Sequence, residues 1–76
     1  MTALNGDIGK KYIVQSIKLD EDIERRLETL GLTSGTSFEI LGKKRRGSMI
    51  IKVRGTRFAI GADIAIGIIT SEGDSK

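Results

Sequence analysis

Hydrophobic and polar residues alternate with a period of two along most of this 76-residue chain, and with a helical period only once. Residues 11–17 read as a first strand, with Tyr12, Val14 and Ser16 on one face and Ile13, Gln15 and Ile17 on the other. Alternation alone does not choose which face is buried. Residues 20–30 form the one predicted helix, because Ile23, Leu27 and Leu30 recur at i, i+4 and i+7 as a narrow apolar stripe. Asp20 stands at the N-cap, and Glu21, Asp22 and Glu24 complement the positive end of the helix dipole. Glu21 with Arg25 and Asp22 with Arg26 make i, i+4 pairs in the more favourable orientation. Gly31 suits the left-handed residue that ends such a helix, with Leu32 folding back onto Leu27 as in a Schellman motif.

Beyond the helix the period returns to two. Thr33, Ser34 and Gly35 form a turn, and residues 36–41 alternate with Phe38 and Ile40 on one face. A glycine-bracketed loop at 42–47 leads to residues 48–54, where Met49, Ile51 and Val53 face inward and Lys52 and Arg54 outward. A tight turn at Gly55 precedes Phe58 and Ile60, both predicted inward. A Gly55-Thr56 loop sets Val53 opposite Phe58, whereas an Arg54-Gly55 loop also keeps the apolar faces together, so the register stays open. Residues 61–64 read as a short turn, and 65–70 as a last strand with Ile66 and Ile68 on one face. The expected organisation is one domain over 1–70 and a polar flexible tail over 71–76. The result is a mostly β fold with one short helix, and a small closed or partly closed β-barrel is the expected architecture. Closure would also remove the free strand edges of an Ile-rich sheet.

Composition narrows the chemistry. With neither Cys nor His, disulfides, zinc ribbons, haem ligation and Cys- or His-based catalysis are excluded. The glycines of 31–35 and 42–47 fit neither dinucleotide- nor nucleotide-binding spacing, and no pair of acids sits in an apolar setting, so no enzyme, cofactor or metal site is expected. The acids of the helix read as a solvated first turn rather than as cation ligands. No apolar run reaches the ~18 residues of a membrane span, and residues 1–7 have neither the basic nor the apolar part of a signal peptide. A soluble, cytoplasmic protein is the expectation.

Charge changes the picture most. No acid lies between Glu39 and Asp63, a stretch holding seven of the 13 Lys and Arg residues. Strand alternation puts Lys52, Arg54 and Arg57 on the solvent side of one hairpin, with Lys43, Lys44, Arg45 and Arg46 in the loop at its other end. The expected result is one basic face for an anionic partner, set against the plainer reading of a solubilising strand face. Lys43, Arg45, Arg46, Lys52, Arg54 and Arg57 are the candidate partner-binding residues. A nucleic-acid-binding barrel is the rival, but Tyr12, Phe38 and Phe58 are the only aromatics, and both Phe are predicted inward. Outward-facing Ile50 leaves homo-oligomerisation open.

The run Arg26-Leu27-Glu28-Thr29-Leu30-Gly31-Leu32-Thr33-Ser34-Gly35-Thr36, followed by Phe38-Glu39-Ile40, resembles the signature of FeoA proteins. Ile51-Lys52-Val53-Arg54-Gly55-Thr56-Arg57-Phe58-Ala59-Ile60 and Ala65-Ile66-Gly67-Ile68 are similar to that family's later segments. The resemblance runs over 7–70, departing at Ser34, where the family usually has Pro, and at the unusually basic 43–46 loop. The same module resembles the C-terminal domain of DtxR-type repressors. Without their DNA-binding and dimerisation domains, this chain reads as the free-standing form. The resemblance implies an SH3-like β-barrel of five to six short strands. It also implies a non-catalytic cytoplasmic accessory of ferrous iron uptake, docking on the cytoplasmic part of the membrane transporter FeoB. A metal-responsive SH3-like regulatory domain is the other reading it allows.

Overall fold

A computed structural model describes residues 1–73. Five strands form one antiparallel sheet: β1 (Lys11–Ile17), β2 (Ser37–Lys43), β3 (Met49–Val53), β4 (Thr56–Ile60) and β5 (Ile68–Glu72), in the order β4-β3-β2-β1-β5. Helix α1 (Glu21–Thr29) links β1 to β2, and a single helical turn, α2 (Ala62–Ala65), links β4 to β5. The sheet wraps around one core in which Tyr12, Phe38, Ile40, Met49, Ile51 and Ile68 are fully buried. Leu27 and Leu32 seal that core from the helix side.

Bulges explain why the first strand showed no preferred face. The β1–β5 register shifts between Val14 and Ser16. Tyr12 and Val14 therefore face the core before the shift, while Ile17, opposite buried Ile68, turns toward it afterwards. A bulge adds one residue and swaps the inward parity of the strand positions beyond it. A second shift between Ile40 and Gly42 does the same in β2, setting Lys43 opposite buried Met49.

The end of α1 is the predicted Schellman motif. Gly31, at φ 94°, donates its N–H to the Glu28 carbonyl (2.9 Å), and Leu32 donates to the Leu27 carbonyl (2.8 Å). The start differs from expectation. Asp20 holds the N-cap position without a side-chain hydrogen bond, leaving its backbone carbonyl to accept from Glu24 N–H at 2.9 Å. Among the described residues neither predicted i, i+4 pair comes within ion-pair distance; the one salt bridge joins Lys10 to Asp7 at 3.7 Å. Exposed helix pairs gain only about 0.3–0.5 kcal/mol, too little to hold two long side chains together. Leu30, expected in the apolar stripe, is 45% exposed because it lies at the C-cap, where the chain turns away.

The last strand starts later than its alternation suggests. Gly67 is buried so tightly that a Cβ there would lie 2.4 Å from Leu19 Cδ2, and its carbonyl accepts from Lys18 N–H at 2.7 Å. That contact ends the α2 corner and aims β5 into the sheet, leaving Ile66 58% exposed instead of paired with Ile68. Ser71 and Glu72, placed in the polar tail by the sequence, complete β5, and Gly73 donates its N–H to the Lys11 carbonyl at 3.0 Å. The remainder of that tail, 74–76, lies outside the described residues.

The sheet does not close on itself, because β4 and β5 are its two ends. The N-terminus partly covers the β5 edge: Thr2 bridges Ile69, and the Met1 carbonyl accepts from Thr70 N–H at 2.8 Å. Among the described residues no strand pairs with the edge of β4. The β3–β4 hairpin takes the Arg54-Gly55 loop, so Val53 faces Thr56 and Ile51 faces Phe58. Both loop residues have positive φ, 52° and 86°, as a type I′ turn requires. Phe58, expected inward, is only half-buried because it sits on the end strand.

Candidate interaction surface

The hairpin geometry sorts the six candidate cations into two groups. Lys52 and Arg57 stand directly opposite each other across β3 and β4, and Arg54 projects from the turn that joins those strands. All three are exposed. Arg45 and Arg46 occupy the turn between β2 and β3, at the far end of β3. Five strand residues separate the two ends, about 17 Å. Lys43 is diverted from both groups: its Nζ donates to the Leu4 carbonyl at 3.2 Å, because the β2 bulge turns its side chain toward the N-terminal 3-10 turn. The structure therefore brings Lys52, Arg54 and Arg57 together and sets Arg45 and Arg46 apart as a second basic corner.

Strand register adds two residues that no run of basic sequence reveals. Glu39 pairs with Lys52 on one side and with Lys11 on the other, so Arg57, Lys52, Glu39 and Lys11 form one row across four strands. Lys11, Ser37, Glu39, Lys52 and Arg54 rim a shallow depression of about 190 Å³ beside the β3–β4 turn. Phe38 and Gly55 complete its lining. The acid-free stretch of sequence thus folds against an acid. Glu39 sits inside the patch, yet among the described residues none of these cations is within 4.0 Å of a carboxylate oxygen.

Arg54 is held in an unusual backbone state for its type. At φ 52° it is the one non-glycine with positive φ among the described residues, a conformation costing roughly 1–2 kcal/mol for side chains other than Gly, Asn and Asp. Its aliphatic stem lies against the end of α1, with Cδ 3.6 Å from where a Gly31 Cβ would stand. The guanidinium is thereby set near the negative end of the helix dipole. Arg54→Asn, which suits a type I′ turn, is expected to raise stability by up to about 1 kcal/mol in urea unfolding. A lower unfolding midpoint would mean that the Arg54 contact with the helix end outweighs the turn preference.

The surface offers little else. Ile50, flanked by Gly42 and Ala59 in the neighbouring strands, is half-buried rather than a free apolar contact. Both Tyr12 and Phe38 are inside, their ring centroids 6.0 Å apart, so neither presents a face on which a base could stack. No three His, Cys, Asp or Glu side chains gather into a metal-binding group among the described residues. No helix among them is long and apolar enough to cross a membrane.

A five-stranded sheet wrapped on one core, one helix between its first two strands and a basic hairpin at one end define a small SH3-like module. The FeoA domain matches residues 1–71, and the chain belongs to the FeoA family. An iron uptake regulatory protein of that family is 31% identical, with a TM-score of 0.82 over 92% of each chain. FeoA of Stenotrophomonas maltophilia, complexed with zinc and described as a prokaryotic SH3 domain protein and candidate ferrous iron transport activating factor, is 26% identical, with a TM-score of 0.80 over 93% of this chain and 89% of that one. The DtxR-like regulator ScaR, solved with bound Zn2+, has a TM-score of 0.83 at 22% identity; 95% of this chain matches 36% of that one, a likeness of fold alone. No curated protein sequence matches the chain.

Proposed function

We propose that this protein is a non-catalytic accessory of ferrous iron uptake that docks, through its basic hairpin, on the cytoplasmic part of a FeoB-type transporter. It works in the cytoplasm and reaches the inner membrane face through that partner. The observation that carries the reading is the directly opposed pair Lys52 and Arg57, with Arg54 beside them and, among the described residues, no carboxylate within ion-pair distance. Like charges facing each other across two strands cost stability. An acidic partner surface offsets that cost and gains from the potential the cluster projects. Arg45 and Arg46 form a second contact at the other end of β3, and Lys43 supports that corner by fixing the N-terminal turn. Family membership supplies the iron-transport context.

The test is binding of the purified protein to the transporter's cytoplasmic domains at about 50 and about 300 mM salt, conditions on either side of the ~10 Å screening length at 0.1 M. Saturable binding that weakens at the higher salt is expected. Arg54→Glu with Arg57→Glu should lower affinity about tenfold to a hundredfold while circular dichroism shows the fold intact. Equal affinity for the doubly reversed and original proteins would exclude this face.

A further inference from the structure

We propose that the free edge of β4 accepts an extended acidic segment of a partner protein as a sixth strand. The proposal deepens the docking function above and rests on it for the sign of the charge. Val53 and Thr56 flank a two-residue turn, and such flanking residues exchange both of their backbone hydrogen bonds. Antiparallel pairs alternate, so Ile51 with Phe58 and Met49 with Ile60 are also bonded, whereas Lys52 with Arg57 and Ile50 with Ala59 are not. The N–H and C=O groups of Arg57 and Ala59 therefore point away from β3, along the open edge. Among the described residues no turn, loop or side-chain hydrogen bond uses them. Two donors and two acceptors at strand spacing form a template for an added strand.

Side chains select what the template accepts. Arg57 and Ala59 lie exposed on the outer face, and Phe58, half-buried, lies on the core side between them. A strand pairing there places its own residues opposite Arg57 and Ala59 on the outer face and one residue beside the Phe58 ring. An acid opposite Arg57 also meets the field of Lys52 in the next strand, and an apolar residue beside Phe58 extends the core. The fitting segment alternates acidic and apolar residues. A second copy of this chain fits poorly, because edge-to-edge pairing would put Arg57 and Lys52 of both copies on one face.

The test uses an eight-residue synthetic peptide alternating Glu and Val, with a Gln-for-Glu peptide as control, read by amide hydrogen exchange and by chemical shifts. In the free protein the Arg57 and Ala59 amides exchange fast and those of Phe58 and Ile60 slowly. Saturating acidic peptide should slow Arg57 and Ala59 about tenfold or more, and the Gln peptide should bind about tenfold more weakly. Ala59→Pro removes only an outward N–H, so it should spare the melting curve and abolish the peptide effect. Failure of the peptide to bind overturns the proposal. So does peptide binding that shifts signals of Lys52 and Arg57 without slowing the Arg57 and Ala59 amides; in that case the basic docking face survives without strand addition. Equal binding of the Gln peptide overturns the acidic preference, and concentration-dependent protection without peptide would assign the edge to a second copy.

Discussion

Phe38→Ala is expected to lower stability by about 3–5 kcal/mol, the usual loss for deleting a buried aromatic. Phe38 is 2% exposed and pairs directly with Tyr12 across β1 and β2, the two rings tilted 36° at 6.0 Å. Each ring is wall and filler for the other, and Tyr12 also accepts the Asp7 N–H on its hydroxyl at 2.7 Å, tying the N-terminal turn to the same spot. A chain of this size rarely has more than about 3–5 kcal/mol from its core, so the variant should be largely unfolded in the absence of denaturant. Urea unfolding followed by far-ultraviolet circular dichroism measures it. Phe38→Leu, which keeps most of the volume, should cost under about 1.5 kcal/mol. An unchanged midpoint for Phe38→Ala would mean that the aromatic pair is not the centre of the core. The same burial removes Tyr12 and Phe38, two of the three aromatic rings, from any role in stacking on bases.

Leu27→Gln is expected to cost about 2–5 kcal/mol, through a lost apolar anchor and a buried amide with nothing to bond. Leu27 is the one buried residue of α1, and its carbonyl receives the Leu32 N–H that closes the helix. A nine-residue helix has no stability of its own in water and persists only by docking. The substitution should detach α1 first. Fast exchange of its amides, with the β2–β3 amides still slow, would show the helix leaving before the sheet. A melting temperature within a degree of the original would refute the anchoring role. Lost partner binding in this variant reflects lost fold, so it says nothing about the docking face.

Much of this architecture was legible in the sequence where local rules decide. The helix, its glycine terminus and the alternation of β3 follow from spacing and from one left-handed residue, Gly31, and all stand in the structure. Alternation could not reveal the bulges near Gln15 and Leu41, because an extra residue swaps inward and outward faces without changing composition. The exposure of Ile66 and the late start of β5 come from the tight seat of Gly67 against Leu19, a contact distant in sequence. The basic hairpin is visible as a charge run, and its Arg54-Gly55 turn is one of the two that the alternation of apolar faces allows. Lys11 and Glu39 were not visible as part of it, because only register brings β1 and β2 alongside β3. Lys43 left the group for a similar reason, since a bulge and a backbone carbonyl decide where its ammonium goes.

The strand order has a consequence for how the molecule comes into being. Strand β1 is made first, and its partner β5 spans the last strand positions, with Tyr12 facing Glu72. Hairpins β2–β3 and β3–β4 join near neighbours in the chain and can form as soon as they are synthesised. Pairing β1 with β5 must close a loop of nearly the whole chain, the slowest kind of contact to make. On the ribosome, then, the β1–β5 side of the core stays incomplete until residue 72 has left the exit tunnel. During that interval the apolar face of β1 shares one core with α1 and β2–β4 but lacks the cover of β5.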